Sequence, residues 1–234
     1  MGKLYAGTSG WAYPSWRPRF YPEKLGPDKF LTYYATCLNA VEVNYTFRRL
    51  LTANLSAKWI AATPSDFQFA VKAHHAITHF RRLQNTAEPL SKFVSALQPL
   101  FDARKLGPVL FQLPPNFKLD LPRFEKFLRD LPTHLRTVFE FRHPSWFCEE
   151  VYTMLRESCA AHCPAETVTP KAPDIRTAGF SYLRMRKKKY SVVDRRKLAR
   201  RVKQLTQRGD VFVFFKHEDS PEGALQAEKL LRTL

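Results

Sequence analysis

The stretch Phe139-Glu140-Phe141-Arg142-His143-Pro144-Ser145-Trp146 follows Thr137-Val138 and alternates aromatic with charged side chains. A period of two is the mark of a strand, and it sends Phe139 and Phe141 to one face and Glu140 and Arg142 to the other. Pro144 has no backbone N–H and ends regular pairing, so the two charges fall at the strand's carboxyl end. A solvated face is the ordinary home of such a pair. Repetition speaks against that home, because other apolar stretches of the chain also finish in polar residues.

Towards the amino terminus, residues 106–108 turn into a strand over 109–113 in which Gln112 is the polar member before Pro114-Pro115. Residues 67–72 form a strand closed by Lys72, and residues 40–45 one in which Glu42 and Asn44 share a face. Residues 3–8 are a short apolar strand that leaves through Gly7-Thr8-Ser9-Gly10-Trp11. Towards the carboxyl terminus, residues 179–184 place Tyr182 and Arg184 on one face, and residues 211–218 run through Lys216 and His217. The strand between, over 161–168, is interrupted by Pro164 and followed by Pro170 and Pro173.

Helical spacing of apolar residues fills the intervals at 28–38, 51–62, 90–101, 121–131, 149–160, 195–207 and 223–234, with Asp28 placed to cap the first. Strand then helix, repeated about eight times with short connections, calls for an α/β fold with a parallel sheet. Eight units predict a TIM-barrel-like (β/α)8 closed barrel in a single domain over 1–234, irregular around strand six. In such barrels reacting groups project from the carboxyl ends of the strands. Glu42, Asn44, Lys72, Gln112, Glu140, Arg142, Arg184, Lys216 and His217 are therefore expected to converge. Lys72, Arg142 and Arg184 suit an anion; Glu42 or Glu140 suits a general base, with His79 or His217 as proton donor.

The chain holds 38 Lys and Arg against 21 Asp and Glu, formally +17, a balance that favours polyanions. Positions 184–208 carry twelve of those cations and one acid, Asp194. Arg186, Lys187, Lys188, Lys189, Arg195 and Arg196 are read there as contacts to a nucleic-acid backbone. The loop after the first strand is rich in aromatic rings, Trp11, Tyr13, Trp16, Phe20 and Tyr21, which suit stacked bases or sugars or else cover a barrel mouth. His74, His75 and His79 lack the spacing of paired ligands on a helix, and Cys159, His162 and Cys163 lack a second pair. No cofactor is expected and a divalent metal is not favoured. Four scattered cysteines and no apolar run near the roughly 20 residues of a membrane span point to a cytoplasmic protein with reduced thiols and no membrane partner.

Taken in order, Gly7-Thr8-Ser9-Gly10-Trp11, Glu42-Val43-Asn44-Tyr45-Thr46-Phe47, Phe69-Ala70-Val71-Lys72, Ile77-Thr78-His79, Gln112-Leu113-Pro114-Pro115, the Glu140 to Trp146 run and Phe215-Lys216-His217-Glu218 resemble the YecE-like family, DUF72, over nearly the whole chain. The resemblance implies a TIM-barrel-like fold with a polar cavity at the carboxyl ends of the strands, and a likeness in shape to apurinic endonucleases. It makes nucleic-acid binding an expectation; Trp11, from the aromatic loop, is counted separately among the expected substrate contacts. Those nucleases hold metal ions with His, Asp and Glu, where this chain offers Lys, Arg and Gln. Three functions remain open: a nucleic-acid or phosphate binder with phosphodiester hydrolysis, a small-molecule enzyme acting on a phosphorylated, carboxylated or sugar metabolite, and a non-catalytic binding protein.

Overall fold

In the computed structural model, which describes residues 1–164, 166, 171–187, 189–216 and 219–234, eight strands alternate with seven α-helices. The order is β1 (Leu4–Thr8), α1 (Phe30–Cys37), β2 (Ala40–Val43), α2 (Ala53–Ala61), β3 (Gln68–Lys72), α3 (Ala87–Asp102), β4 (Leu106–Gln112) and α4 (Leu121–Asp130). It continues with β5 (Thr137–Glu140), α5 (Glu149–Glu157), β6 (Ala161–His162), β7 (Ser181–Met185), α6 (Val192–Thr206), β8 (Val211–Phe215) and α7 (Glu222–Thr233). All pairings between strands are parallel, in two sheets ordered β1-β8-β7 and β2-β3-β4-β5-β6.

The expected closed ring is thus not one continuous backbone ladder among the described residues; two sheets meet along two seams. At the first, only the bridge Ser9–Glu42 and the bond from Gly10 N to Glu42 O (2.9 Å) join the backbones of β1 and β2. Side chains do the rest. The Asn39 amide accepts from Ala6 N (2.9 Å) and donates to Leu4 O (2.8 Å), while the Tyr34 hydroxyl accepts from Thr8 N and donates to Ala40 O, both at 2.9 Å. At the second seam β6 is only two residues long. Pro164 has no N–H to continue it, and Thr177 Oγ1 accepts from His162 N (2.8 Å) where a neighbouring strand would otherwise do so. Of the rest of the strand expected over 161–168, Cys163, Pro164 and Glu166 are not in a strand, and residues 165, 167 and 168 lie outside the described residues.

The first seam leaves no room for a side chain at position 7. A Cβ there would lie 1.8 Å from Ala40 O and 2.7 Å from the Tyr34 hydroxyl. Gly7→Ala must therefore spread β1 from β2, and a loss of about 3 kcal/mol is expected in urea denaturation at neutral pH. A loss below about 1 kcal/mol would show that the seam yields freely.

Two apolar layers follow from the alternation of each strand. Outward residues such as Phe111, Phe139 and Phe141 pack beneath the helices, where Phe139 and Phe141 meet Phe124 of α4 edge-on and Phe141 stacks on Trp146 at 4.7 Å. Inward residues Ala40, Ala70, Leu110, Val138, Ala161, Tyr182, Phe212 and Phe214 form a second cluster that draws on both sheets. Trp16 and Tyr21 are fully buried and Phe20 nearly so, packed on Phe30, Tyr33 and Tyr34. That part of the aromatic loop is core and not a stacking platform. Asp28 sits in a 3-10 turn, Pro27–Lys29, and α1 begins at Phe30 without a side-chain cap. Asp120 caps α4, and Ser191 caps α6 through a reciprocal box with Asp194.

Candidate anion-binding site

Moving two residues along a strand keeps the same face, so the inward cluster dictates what stands above it. From Ala40 the step leads to Glu42, from Ala70 to Lys72, from Leu110 to Gln112, from Val138 to Glu140, from Ala161 to Cys163 and from Tyr182 to Arg184. Those six residues crown the apolar interior at the carboxyl ends of their strands.

Arg184 ties the crown together. Its guanidinium donates to Glu42 Oε1 (2.8 Å), Glu140 Oε2 (2.6 Å) and Gln112 Oε1 (3.3 Å), all three groups being in van der Waals reach from different strands. Glu42 also accepts from Ser9 Oγ (2.6 Å) and Tyr182 OH (2.7 Å), and Glu140 pairs with Arg142. Both carboxylates are essentially inaccessible to solvent, and Arg184 is 4% exposed. Burial alone would raise the Glu42 carboxyl. The Arg184 and Arg186 guanidiniums and the Ser9 hydroxyl more than offset it and hold Glu42 down at about 2. Burial likewise opposes the ionised form of Glu140, and Arg184 and Arg142 hold it below the ordinary carboxylate range. Burial disfavours the Arg184 cation, but the two carboxylates raise it well above its ordinary value. This is a fixed ionic floor. Its carboxylates are occupied with donors, which weakens both as proton acceptors.

Above the floor opens a cavity of about 780 Å³, lined by Asn44, Tyr45, Phe47, Arg48, Arg49, Lys72, Gln112, Arg142, Arg184, Arg186 and Lys216. Seven of these eleven side chains are cations and none is acidic. With Glu42 and Glu140 counted beneath them, the site keeps a formal surplus of five positive charges, by seven cations less two carboxylates. Lys72 stands apart from the ionic floor. Its Nζ lies over the Phe47 ring at 4.0 Å from the centroid and makes no hydrogen bond or ion pair among the described residues. Burial, then repulsion from Arg184, lowers it to about 8, with Glu42 and Glu140 pulling the other way.

The structure therefore brings together Glu42, Asn44, Lys72, Gln112, Glu140, Arg142, Arg184 and Lys216 as the strand ends predict. His79 stands beside this group on a single π-helical turn, Ala76–Phe80, where its ring meets Phe47 edge-on at 4.9 Å and its Nδ1 lies 2.8 Å from Thr78 Oγ1. Burial and the nearby Lys72 push its imidazole down to about 4, so it is neutral at physiological pH and a poor proton donor there. Trp11 packs edge-on against Trp59 at 5.1 Å and is not part of the cavity wall. His217 and Lys188 lie outside the described residues.

The basic segment divides. Arg186 turns into the cavity, where its guanidinium lies 4.0 Å from Glu42 Oε1, although its sequence context groups it with the outer cations. Lys187 pairs with Asp194 at 2.8 Å on the surface. Arg195 and Arg196 line a separate depression between α6 and α7, and Lys189 is exposed. Tyr45, Arg48 and Arg49 are wall residues that the strand pattern does not reveal, because Tyr45 opens a 3-10 turn after β2, Tyr45–Phe47, and the two arginines follow it. Among the described residues no three His, Cys, Asp or Glu side chains gather to hold a metal ion. The donor set agrees with that geometry: the position between the two carboxylates is filled by a guanidinium.

Fold and site together define a parallel α/β protein whose strands end in a cation-lined cavity. The chain belongs to the family described as Protein of unknown function DUF72, matched over residues 5–234. It is similar to a DUF72 family protein from Thermotoga maritima MSB8, with a TM-score of 0.86 and 27% identity over 98% of both chains. A second DUF72 structure, from Enterococcus faecalis V583, shares the fold at a TM-score of 0.81 and 18% identity over 98% of this chain and 96% of that one. The UPF0759 proteins YunF of Bacillus subtilis and YecE of Escherichia coli K12 are 30% and 31% identical over 64% and 65% of this chain. Each alignment spans 54% of the relative, so the chain covers about half the length of these curated relatives. No helix among the described residues is long and apolar enough to cross a membrane.

Proposed function

We propose that the cavity binds a phosphate-bearing ligand, the anion being held by Arg142, Arg186 and Lys216. The single observation that carries this reading is the surplus of cations around a recess whose nearby carboxylates among the described residues, Glu42 and Glu140, are already committed to Arg184. Cations held together in a partly desolvated space repel one another, and a bound anion relieves that cost. The two sheets are read as arcs of one eight-stranded barrel interrupted at β6–β7, with the ligand at the usual end for such folds. The setting is the cytoplasm, a reading in keeping with four free cysteines.

Inorganic phosphate titrated into the protein by calorimetry tests the proposal. Arg142→Ala and Arg186→Ala are each expected to weaken binding by about 1.5–3 kcal/mol, roughly ten- to a hundred-fold. Unchanged affinity in both variants would remove the cavity from consideration.

A nucleic-acid ligand is the second reading, favoured by the position of Arg186 at the head of the basic run, which gives a backbone a path from the cavity towards Arg195 and Arg196. On this reading oligonucleotide affinity falls steeply with salt, and the Arg195→Ala, Arg196→Ala double variant lowers the salt slope by about 2. Phosphodiester hydrolysis would need a general base. Glu42 and Glu140 are poorly suited to that role, since each is held ionised by several donors.

A further inference from the structure

We propose that Lys72 is a nucleophilic amine and that the ligand of the cavity is an aldehyde or ketone bearing a phosphate group, which Lys72 captures as an imine. The inference rests on the phosphate reading and adds a reaction to it. Lys72 closes β3 one inward step above Ala70, so its side chain rises from the buried cluster into the recess. Its Nζ faces the Phe47 ring and has no acceptor among the described residues. A lysine kept for its charge is best placed beside a carboxylate, yet both nearby carboxylates are bound to Arg184. Lys72 is left against the Phe47 ring, repelled by Arg184 and Arg186, with no direct carboxylate partner among the described residues, a setting that makes a lysine a nucleophile.

The groups that act on it come from every side. Arg184 and Arg186 repel it from the end of β7, Glu42 of β2 and Glu140 of β5 attract it, and His79 faces it from the π-helical turn. With the ammonium lowered to about 8, roughly one side chain in ten is the neutral amine at pH 7, against roughly one in three thousand at the ordinary 10.5. An anion seated directly on Lys72 would restore its proton. A cavity of about 780 Å³ leaves room for the phosphate to lie against Arg142, Arg186 and Lys216 while the carbonyl meets Lys72.

The chemistry closes without an external oxidant or reductant. The ammonium releases one proton, the Nζ lone pair attacks the carbonyl carbon, and the carbon–oxygen π pair moves to oxygen. A proton passes from nitrogen to that oxygen to give the carbinolamine. The released proton then returns to the hydroxyl, the carbon–oxygen bond breaks as water leaves, and the nitrogen lone pair forms the protonated imine.

The test uses pyridoxal 5′-phosphate as probe and pyridoxal as its phosphate-free counterpart, with borohydride reduction and peptide mapping of the native chain. Lys72 is expected to be modified at least roughly ten-fold faster than any other lysine, with a half-maximal rate near pH 8. Inorganic phosphate should protect it, and pyridoxal should react at least roughly ten-fold more slowly. Lys72→Arg should retain phosphate binding in calorimetry and lose the rapid phase. Labelling spread evenly over the lysines, with phosphate binding intact, overturns the amine and leaves the phosphate reading standing. Equal reaction of both probes at Lys72, without phosphate binding, overturns the proposed substrate class and the phosphate reading together.

Discussion

Arg184→Met is expected to destabilise the protein by about 3–5 kcal/mol, read from urea denaturation at pH 7. Methionine keeps an apolar stem but lacks the guanidinium, so the loss comes chiefly from two carboxylates stranded in an inaccessible interior, with the space the guanidinium vacates adding to it. Arg184 donates to both Glu42 and Glu140, each essentially unexposed, and of the remaining partners Ser9 and Tyr182 are neutral, Arg142 reaches Glu140 alone and Arg186 lies 4.0 Å from Glu42. Adding Glu42→Gln and Glu140→Gln to the variant should restore much of the loss, because neutral groups need no counter-charge. A loss under about 1 kcal/mol in the single variant would mean that the floor is solvated and the site is built differently.

Acid should weaken the fold through the same floor. Glu42 titrates at about 2 in the folded chain against an ordinary 4.5, a depressed value. A depressed carboxylate contributes stability that is complete above the unfolded value and lost as pH falls through the folded one. The window therefore runs from about 4.5 down to about 2, and the shift corresponds to about 3 kcal/mol of stability. Glu140, also depressed, acts in the same direction. Urea midpoints collected between about pH 6 and about pH 3 should fall more steeply for the native chain than for Glu42→Gln. Parallel profiles would show that Glu42 is not the group being protonated.

Much of this floor was legible from local alternation. Glu140 beside Phe139 and Phe141, Glu42 beside Val41 and Val43, and Arg184 beside Leu183 announce a charged face wherever a strand is about to end. The partners that tame those charges were not legible. Ser9 and Tyr182 reach Glu42 from 33 and 140 positions away, and nothing local encodes such a meeting. Arg186 was hidden for a different reason: its neighbours are cations, and charge density alone groups it with Lys187 and Lys189, whereas the backbone beyond β7 still carries it inward. Arg48 and Arg49 follow a turn where the two-residue period no longer applies. The division into two sheets depends on Asn39, Tyr34 and Thr177 standing where backbone groups were expected, and a hydrophobicity pattern carries no sign of that.

Within a sheet the bonds between strands belong to the main chain, and no amino-acid replacement short of proline deletes them. Where the two sheets meet, most of the bonds belong instead to an amide, a phenol and a hydroxyl. Substituting Asn39, Tyr34 or Thr177 would therefore remove bonds between the sheets while leaving every main-chain ladder in place.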